Sequence, residues 1–247
     1  EAFSPESGGN YPPDWTHMND VELLPDGRVM ANLRNQDQVV FLEPGEGLQE
    51  AWTLGADGAH GTLYEQHNAD YIPESDGGPA VLVADSENSR IVEYQRTNGT
   101  WTRTWRWADA ALQWPRDADR MPNGNTLVAD SHGSRLLSVA TDGSIAWSEP
   151  FPDGAYDLEL LGTADESDGP SAARADLESR SPGGLGYLAV SLVPPLILHG
   201  TLFVLPIWVG ALDAVFVLAT GVVLVVLALV EAAVRVRPYV ARLRDRE

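Results

Sequence analysis

From residue 18 to residue 150 the apolar positions come in short runs of four to six. They lack the i, i+3, i+4 spacing of an amphipathic helix. The runs come in pairs: "RVMANL" (28–33) with "QVVFLE" (38–43), "AVLVADS" (80–86) with "RIVEYQ" (90–95), and "NTLVADS" (125–131) with "RLLSVA" (135–140). A polar tip joins the members of each pair. Ahead of each pair stands a turn sequence, "LPDGR" (24–28), "IPESDGGP" (72–79) or "MPNGN" (121–125), and behind it another, "PGEG" (44–47), "TNGT" (97–100) or "TDGS" (141–144). Pro presets φ and Gly accepts positive φ, so these are turns with a mechanism. A further strand marked by Trp52, Trp105 or Trp147 is expected after each second turn. The pattern predicts an all-β array of short antiparallel strands.

The array repeats. His17-x-x-Asp20 becomes His67-x-x-Asp70 and then Arg116-x-x-Asp119, with the aspartates 50 and 49 residues apart. A period near fifty with four strands per unit predicts β-propeller blades. One blade cannot bury both faces, so neighbours must stack on it, and the three Trp residues are expected as plugs between blades. Residues 1–162 hold about three blades, whereas rings close with roughly four to eight. The chain begins at Glu1, and the expectation is a cleaved or partial sequence whose ring is completed by further blades or by association.

From residue 163 the text changes. Residues 163–184 are rich in Gly, Ser and acids and are expected to form a flexible linker. Residues 185–236 hold two apolar stretches, 185–212 and 214–230, separated by Asp213 and each long enough to cross a bilayer. A pair of transmembrane segments is expected, the first kinked by Pro194, Pro195 and Pro206 and either a full crossing or a broken or re-entrant span, followed by an Arg-rich tail at 237–247. Two crossings would place blades and tail on one side, although Arg-rich flanks favour the cytoplasm. The blades are expected outside the cytoplasm of a membrane-anchored protein, with the number of crossings open. His199 and Asp213 could mark an intramembrane site, with an interfacial position favoured for Asp213.

Charge narrows the partners. The chain carries 36 acidic and 16 basic residues, a net charge of −20, and every basic residue is Arg. Residues 1–184 hold 32 acids against 11 arginines, a net of −21, and residues 185–247 hold 4 against 5. Such a surface repels nucleic acid, so none is expected as a partner, and it fits adaptation to high salt. The chain has no Cys, which excludes disulfides and thiolate metal sites.

Equivalent residues of a blade array converge on a central channel. His17, His67 and Arg116 are therefore the candidate chemical residues at its mouth, with Asn19, Asn68 and Asp117 beside them. Two imidazoles and a guanidinium suit a small tetrahedral anion such as sulfate or phosphate. Asp20, Asp70 and Asp119 are expected as structural repeat positions that cap turns or bind backbone N–H groups of the next blade. His60 lies in a connecting loop and could reach the channel; His132 reads as surface. Asn98-Gly99-Thr100 matches a glycosylation sequon and equally a hairpin turn. No His and carboxylate spacing suggests a metal site, and no cofactor is expected.

The stretches "THMNDVELLPDGRVMANLRNQDQVVFLE", "QHNADYIP…AVLVADSENSRIVEYQR" and "WPRDADRMPNGNTLVADSHGSRLLSV" resemble the arylsulfotransferase-like β-propeller family in its haloarchaeal, membrane-anchored form. The resemblance covers roughly residues 10–165. It implies a six-bladed ring and transfer of a sulfuryl group from a phenolic sulfate ester to another phenol, without a nucleotide donor. By the same resemblance His17 or His67 is the nucleophile, the other protonates the leaving phenolate, and Arg116 clamps the sulfate. The rival expectation is a non-catalytic propeller that binds a ligand or protein at the cell surface. A third is a scaffold whose C-terminal helices assemble with another membrane protein.

Overall fold

The computed structural model describes residues 3–152, 154–161, 167–206 and 209–244. The chain divides into two compact units, Glu1–Gly183 and Gly184–Glu247.

The first unit is built from three antiparallel sheets, each following chain order from its first strand to its last. Sheet one runs β1 (Met18–Leu23), β2 (Val29–Leu33), β3 (Gln38–Glu43), β4 (Gly47–Leu48), with β5 (Leu54–Gly55) also paired to β3. Its fourth strand is thus in two pieces, separated by a tight turn at Glu50–Trp52. Trp52 lies on that turn and not on the expected strand. Sheet two comprises β6 (His67–Ile72), β7 (Ala80–Asp85), β8 (Arg90–Thr97) and β9 (Thr100–Trp107). Sheet three comprises β10 (Pro115–Arg120), β11 (Thr126–Asp130), β12 (Arg135–Val139) and β13 (Ile145–Pro150). These are blades of the β-propeller type. The β8–β9 hairpin shows why the turn text works: Asn98 and Gly99 have φ of 51° and 81°, the doubly left-handed conformation whose twist matches the strands it joins.

Sheet two is packed on both faces, and alternate residues divide between two cores. Val81 and Val83 face sheet one with Met30, Val39, Phe41, Leu54 and Leu63. Ala80, Leu82 and Ala84 face sheet three with Trp105, Trp107, Val128 and Leu137. Every residue of β7 is buried, which accounts for its unbroken apolar run. Burying each Leu or Val in these cores stabilises by about 1.5–3 kcal/mol. Of the expected Trp plugs, Trp105 fills the second interface, while Trp52 is clamped between the guanidiniums of Arg28 and Arg96, 3.7 and 4.1 Å from its ring centre. Trp147 is 47% exposed, because among the described residues no sheet covers the outer face of sheet three. Between sheets two and three Arg120 and Glu93 form an ion pair of 3.1 Å with both side chains fully buried.

The polar stretch expected to be a linker is, over residues 167–181, a strap laid along the junction of sheets two and three. Ser171 N donates to Asp76 O, Ala172 N to Glu93 Oε1, Glu178 N to Thr141 O and Arg180 N to Arg106 O. Trp105 and Trp107 lie beneath it, and the Trp105 indole donates to Glu178 O. Small residues mark a flexible linker by composition, but here they are what the narrow junction admits: a Cβ at Gly169 would stand 2.1 Å from Met121 O.

The second unit contains α1 (Gly184–Ser191), α2 (Pro195–Val204) and α3 (Ala211–Arg244). Within α3, Ala211–Arg235 is an apolar stretch of 25 residues that contains an 18-residue window of mean hydropathy 2.7. It is about 37 Å long and therefore sufficient to cross a bilayer. Of the alternatives for residues 185–212 the structure has the broken one: the prolines divide the stretch into α1 and α2, of 8 and 10 residues, each too short to span alone. Leu198 and Leu202 of α2 pack on Ala211 and Ala214 of α3. Asp213 accepts the Gly210 N–H at 3.2 Å and so closes the first turn of α3. The side chains of His199 and of the Arg-rich tail 237–247 lie outside the described residues.

Glu93→Ala would strand the Arg120 guanidinium in the core, and the unfolding free energy should fall by about 3–5 kcal/mol. Denaturant unfolding at fixed salt measures this. Trp147→Ser, on the uncovered face, should change it by less than about 0.5 kcal/mol.

Candidate functional site

The strand registers decide which residues share a place at the start of each sheet's first strand. The hairpins of the three sheets close with the pairs Leu33–Gln38, Asp85–Arg90 and Asp130–Arg135. Counted from those pairs, Glu22 opposite Met30, Asp70 opposite Leu82 and Asp119 opposite Leu127 are equivalent. Three residues upstream, Asn19, His67 and Arg116 share one position. The His-x-x-Asp overlay slips by two in the first repeat, because "VELLP" is two residues longer than "YIP" or "RMP". Each first strand also bulges at its start, where the ladder skips Asn19, Asn68 and Arg116. A bulge leaves a residue unpaired and re-aims its side chain.

The structure therefore brings His67 and Arg116 together and sets His17 two residues outside. His17 is 43% exposed in its side chain, and its Nδ1 lies 2.7 Å from Asp14 Oδ1. Asn19 belongs to a network between sheets, with Nδ2 donating to Gln66 O at 3.1 Å and Oδ1 accepting from Asn32. Asn68 has φ of 32°, and its buried Oδ1 has no partner among the described residues. His60 stacks on Tyr64 at 3.8 Å and pairs with Asp37, while His132 lies edge-on to Trp114.

His67 is buried, and its surroundings assign a tautomer. Ser86 Oγ donates to Pro115 O at 2.7 Å, so it accepts from His67 Nδ1–H at 2.9 Å. The Nε2 lone pair then faces the Arg116 Nη1, which can only donate. Burial first, and then the Arg116 charge, drives the imidazole pKa down to about 2. His67 is a neutral base held against a cation. Burial likewise lowers the Arg116 pKa. Among the described residues Arg116 has no carboxylate ion pair, whereas nearby Arg34 is bound to Glu65. A polar cleft of about 360 Å³ is lined by Arg34, Asn35, Glu65 and Asp14, the partner of His17.

Beneath this cationic layer lies an acidic one. Asp20 accepts the Ala69 N–H (3.1 Å), Glu22 the Tyr71 N–H (2.8 Å) and Asp117 the Leu158 N–H (2.8 Å). Asp70 accepts the Ser167 N–H and hydroxyl, and Ser167 Oγ in turn accepts the Arg120 N–H. Asp70, Asp117 and Asp119 are buried with carboxylate oxygens within 4.8 Å of one another, the acid set that could receive a divalent cation. Asp70 and Asp117 already accept N–H or O–H donors from the protein. Burial raises Asp117 well above the usual carboxylate range and Asp119 to about 7.

Sequence reasoning missed the pairs that hold the loops leading into the site. Asp85 and Asp130 each bind an Arg five residues on, Arg90 at 2.5 Å and Arg135 at 2.6 Å. They also accept Tyr64 N–H and Gln113 N–H, three residues ahead of His67 and Arg116. The twice-written "ADS…R" was the available signal. It missed Tyr156 too, whose ring lies edge-on to His67 at 5.7 Å.

No protein-family model matches the chain, and no curated protein matches it. Solved structures similar to it include the periplasmic gluconolactonase PpgL of Pseudomonas aeruginosa, with 18% identity and a TM-score of 0.45 over 58% of this chain and 42% of that one. A putative 6-phosphogluconolactonase from Bacteroides uniformis gives 11% identity and a TM-score of 0.46 over 65% of this chain and 49% of that one. Virginiamycin B lyase from Staphylococcus aureus, solved with quinupristin, gives 10% identity and a TM-score of 0.41 over 57% of this chain and 43% of that one. The chain spans less than half the length of each.

Folded Asp119 keeps its proton up to about pH 7, whereas the unfolded chain releases it near 3.8. Its stabilising contribution is complete below the lower value and is lost as pH rises through the upper one. Asp119→Asn should remove that slope, so its Tm should fall less than wild type between about pH 4.5 and about pH 7.5. Thermal melts at constant salt check this.

Proposed function

We propose that the mouth binds a tetrahedral oxyanion and that the protein is an arylsulfotransferase-like propeller, anchored by α3 with its blades outside the cytoplasm and completing a six-bladed ring. The observation that carries this is Arg116: a half-buried guanidinium beside a neutral imidazole, in the field of Glu65 and Glu87 but in no carboxylate ion pair among the described residues. Burying an unpaired cation is costly, and an incoming sulfate would supply the missing charge in the geometry a guanidinium forks onto.

The chemistry follows from the same residues. Arg116 swings its Nη1 from His67 Nε2 to the sulfate oxygens, which frees the lone pair. Nε2 attacks sulfur, the bond from sulfur to the ester oxygen breaks, and the phenolate leaves with its electron pair. His17, at the exposed rim, returns a proton to that oxygen. An acceptor phenol then gives its proton to His17, and its oxygen takes the sulfuryl group as the bond from Nε2 to sulfur breaks, which restores neutral His67. The contact between Arg116 and Nε2 favours one rival, a mouth that binds anions and does not react with them. Should the guanidinium stay on the lone pair, no nucleophile is available.

Sulfuryl transfer from 4-nitrophenyl sulfate to phenol at high salt decides between them. Wild type should transfer, His67→Ala should lose roughly 10³-fold or more, and Arg116→Ala on the order of 10²- to 10³-fold. Sulfate binding without transfer by wild type would leave the binding module.

A further inference from the structure

Downstream of sheet three runs Tyr156-Asp157-Leu158-Glu159, with none of the histidines or arginines that flag the earlier repeats. Its hydrogen bonds nevertheless repeat theirs. Ser86, next after the end of β7, donates to the carbonyl of Pro115, the residue ahead of Arg116, at 2.7 Å. Ser131, at the same place after β11, donates to the carbonyl of Ala155, the residue ahead of Tyr156. A second contact gives the same count. Asp20, opposite Asn32, accepts the N–H of Ala69, two residues after His67. Asp117, opposite Ala129 in the equivalent pair, accepts the N–H of Leu158, two residues after Tyr156.

We infer that residues 155–161 are the opening segment of a fourth repeat, and that Tyr156 is the fourth mouth residue after Asn19, His67 and Arg116. Glu159 then follows Glu22, Asp70 and Asp119 in the acidic layer. Asp157 and Glu159 do lie near enough to Asp119 for their charges to raise its pKa. The segment escapes a periodic reading because it comes 40 residues after Arg116 instead of 48 or 49, and because Tyr and Glu replace His or Arg and Asp.

The placement gives Tyr156 a task, which rests on the anion-binding reading above. Its ring lies at 82° to His67, with the Arg116 guanidinium carbon 5.8 Å from the ring centre. It is 49% exposed, so one face borders the opening. Tyr156 is a positioning residue: its π-face holds the Arg116 cation at the mouth when no anion is there. The ring is sufficient for this, and the hydroxyl is dispensable.

Two measurements on the full chain test the two halves separately. Amide exchange reads the fourth repeat without reference to any ligand. The Leu158 amide should be protected in wild type, and Ser131→Ala should speed exchange across 156–160 by about fivefold to tenfold while leaving Ala69 unchanged. A Leu158 amide that exchanges at the unprotected rate in wild type overturns the fourth repeat. Sulfate titration at fixed ionic strength reads the role of the ring. Tyr156→Phe should bind as wild type does, and Tyr156→Leu should bind about threefold to tenfold more weakly. Equal affinity in the Leu variant overturns the positioning role. Failure of wild type to bind sulfate overturns that role together with the anion-binding mouth, while amide exchange still decides the fourth repeat.

Discussion

Each sheet of the first unit can bury its apolar faces only against another sheet, and carboxylates on the first strands hold one sheet to the next. Glu22 and Asp20 take the N–H groups of Tyr71 and Ala69 directly. At the next junction the shorter Asp70 reaches the Arg120 N–H through the Ser167 hydroxyl. This constraint has a cost that shapes the rest of the centre. Carboxylates that bind backbone at the axis must leave water, and they gather there as neighbouring strands converge. The raised pKa values of Asp117 and Asp119 follow from desolvation and like-charge crowding, which both favour the neutral acid.

The same convergence sets the chemistry of the mouth. Stacked in a narrow space, His67 loses its proton to burial and to the Arg116 cation beside it, and becomes a base with a directed lone pair. Arg116 is that cation, and its own burial lowers its pKa. Neither property belongs to either residue alone. Both depend on Asp85 and Asp130, which hold the incoming loops through ion pairs and backbone N–H groups.

Two stretches show how composition and packing can diverge. Gly, Ser and acid in residues 167–181 carry the compositional mark of a flexible linker, yet the strap between sheets two and three needs small residues where it crosses buried backbone, and its N–H groups find partners on both sheets. The apolar run before Asp213 has the length of a membrane span, but Pro194, Pro195 and Pro206 interrupt its hydrogen-bond ladder and leave two short helices. In both cases local backbone chemistry prevails over average polarity.

Much of the blade architecture was legible from the chain. Alternating apolar runs, Pro-Asp-Gly and Asn-Gly turns and a period near fifty specify three four-stranded sheets, because turn geometry and face burial are local and periodic. His67 and Arg116 were legible for the same reason as two members of a set of three with His17. What only the tertiary structure decided was register and neighbourhood. Two extra residues before Pro25 move His17 out of the shared position and put Asn19 into it, a shift visible only once the hairpins are aligned. Tyr156 carries no motif, and its place depends on bonds from Ser131 and Asp117 of another sheet. The neutral state of His67 depends likewise on burial and on a charge 49 residues away, because desolvation belongs to the packed arrangement and to no single residue type.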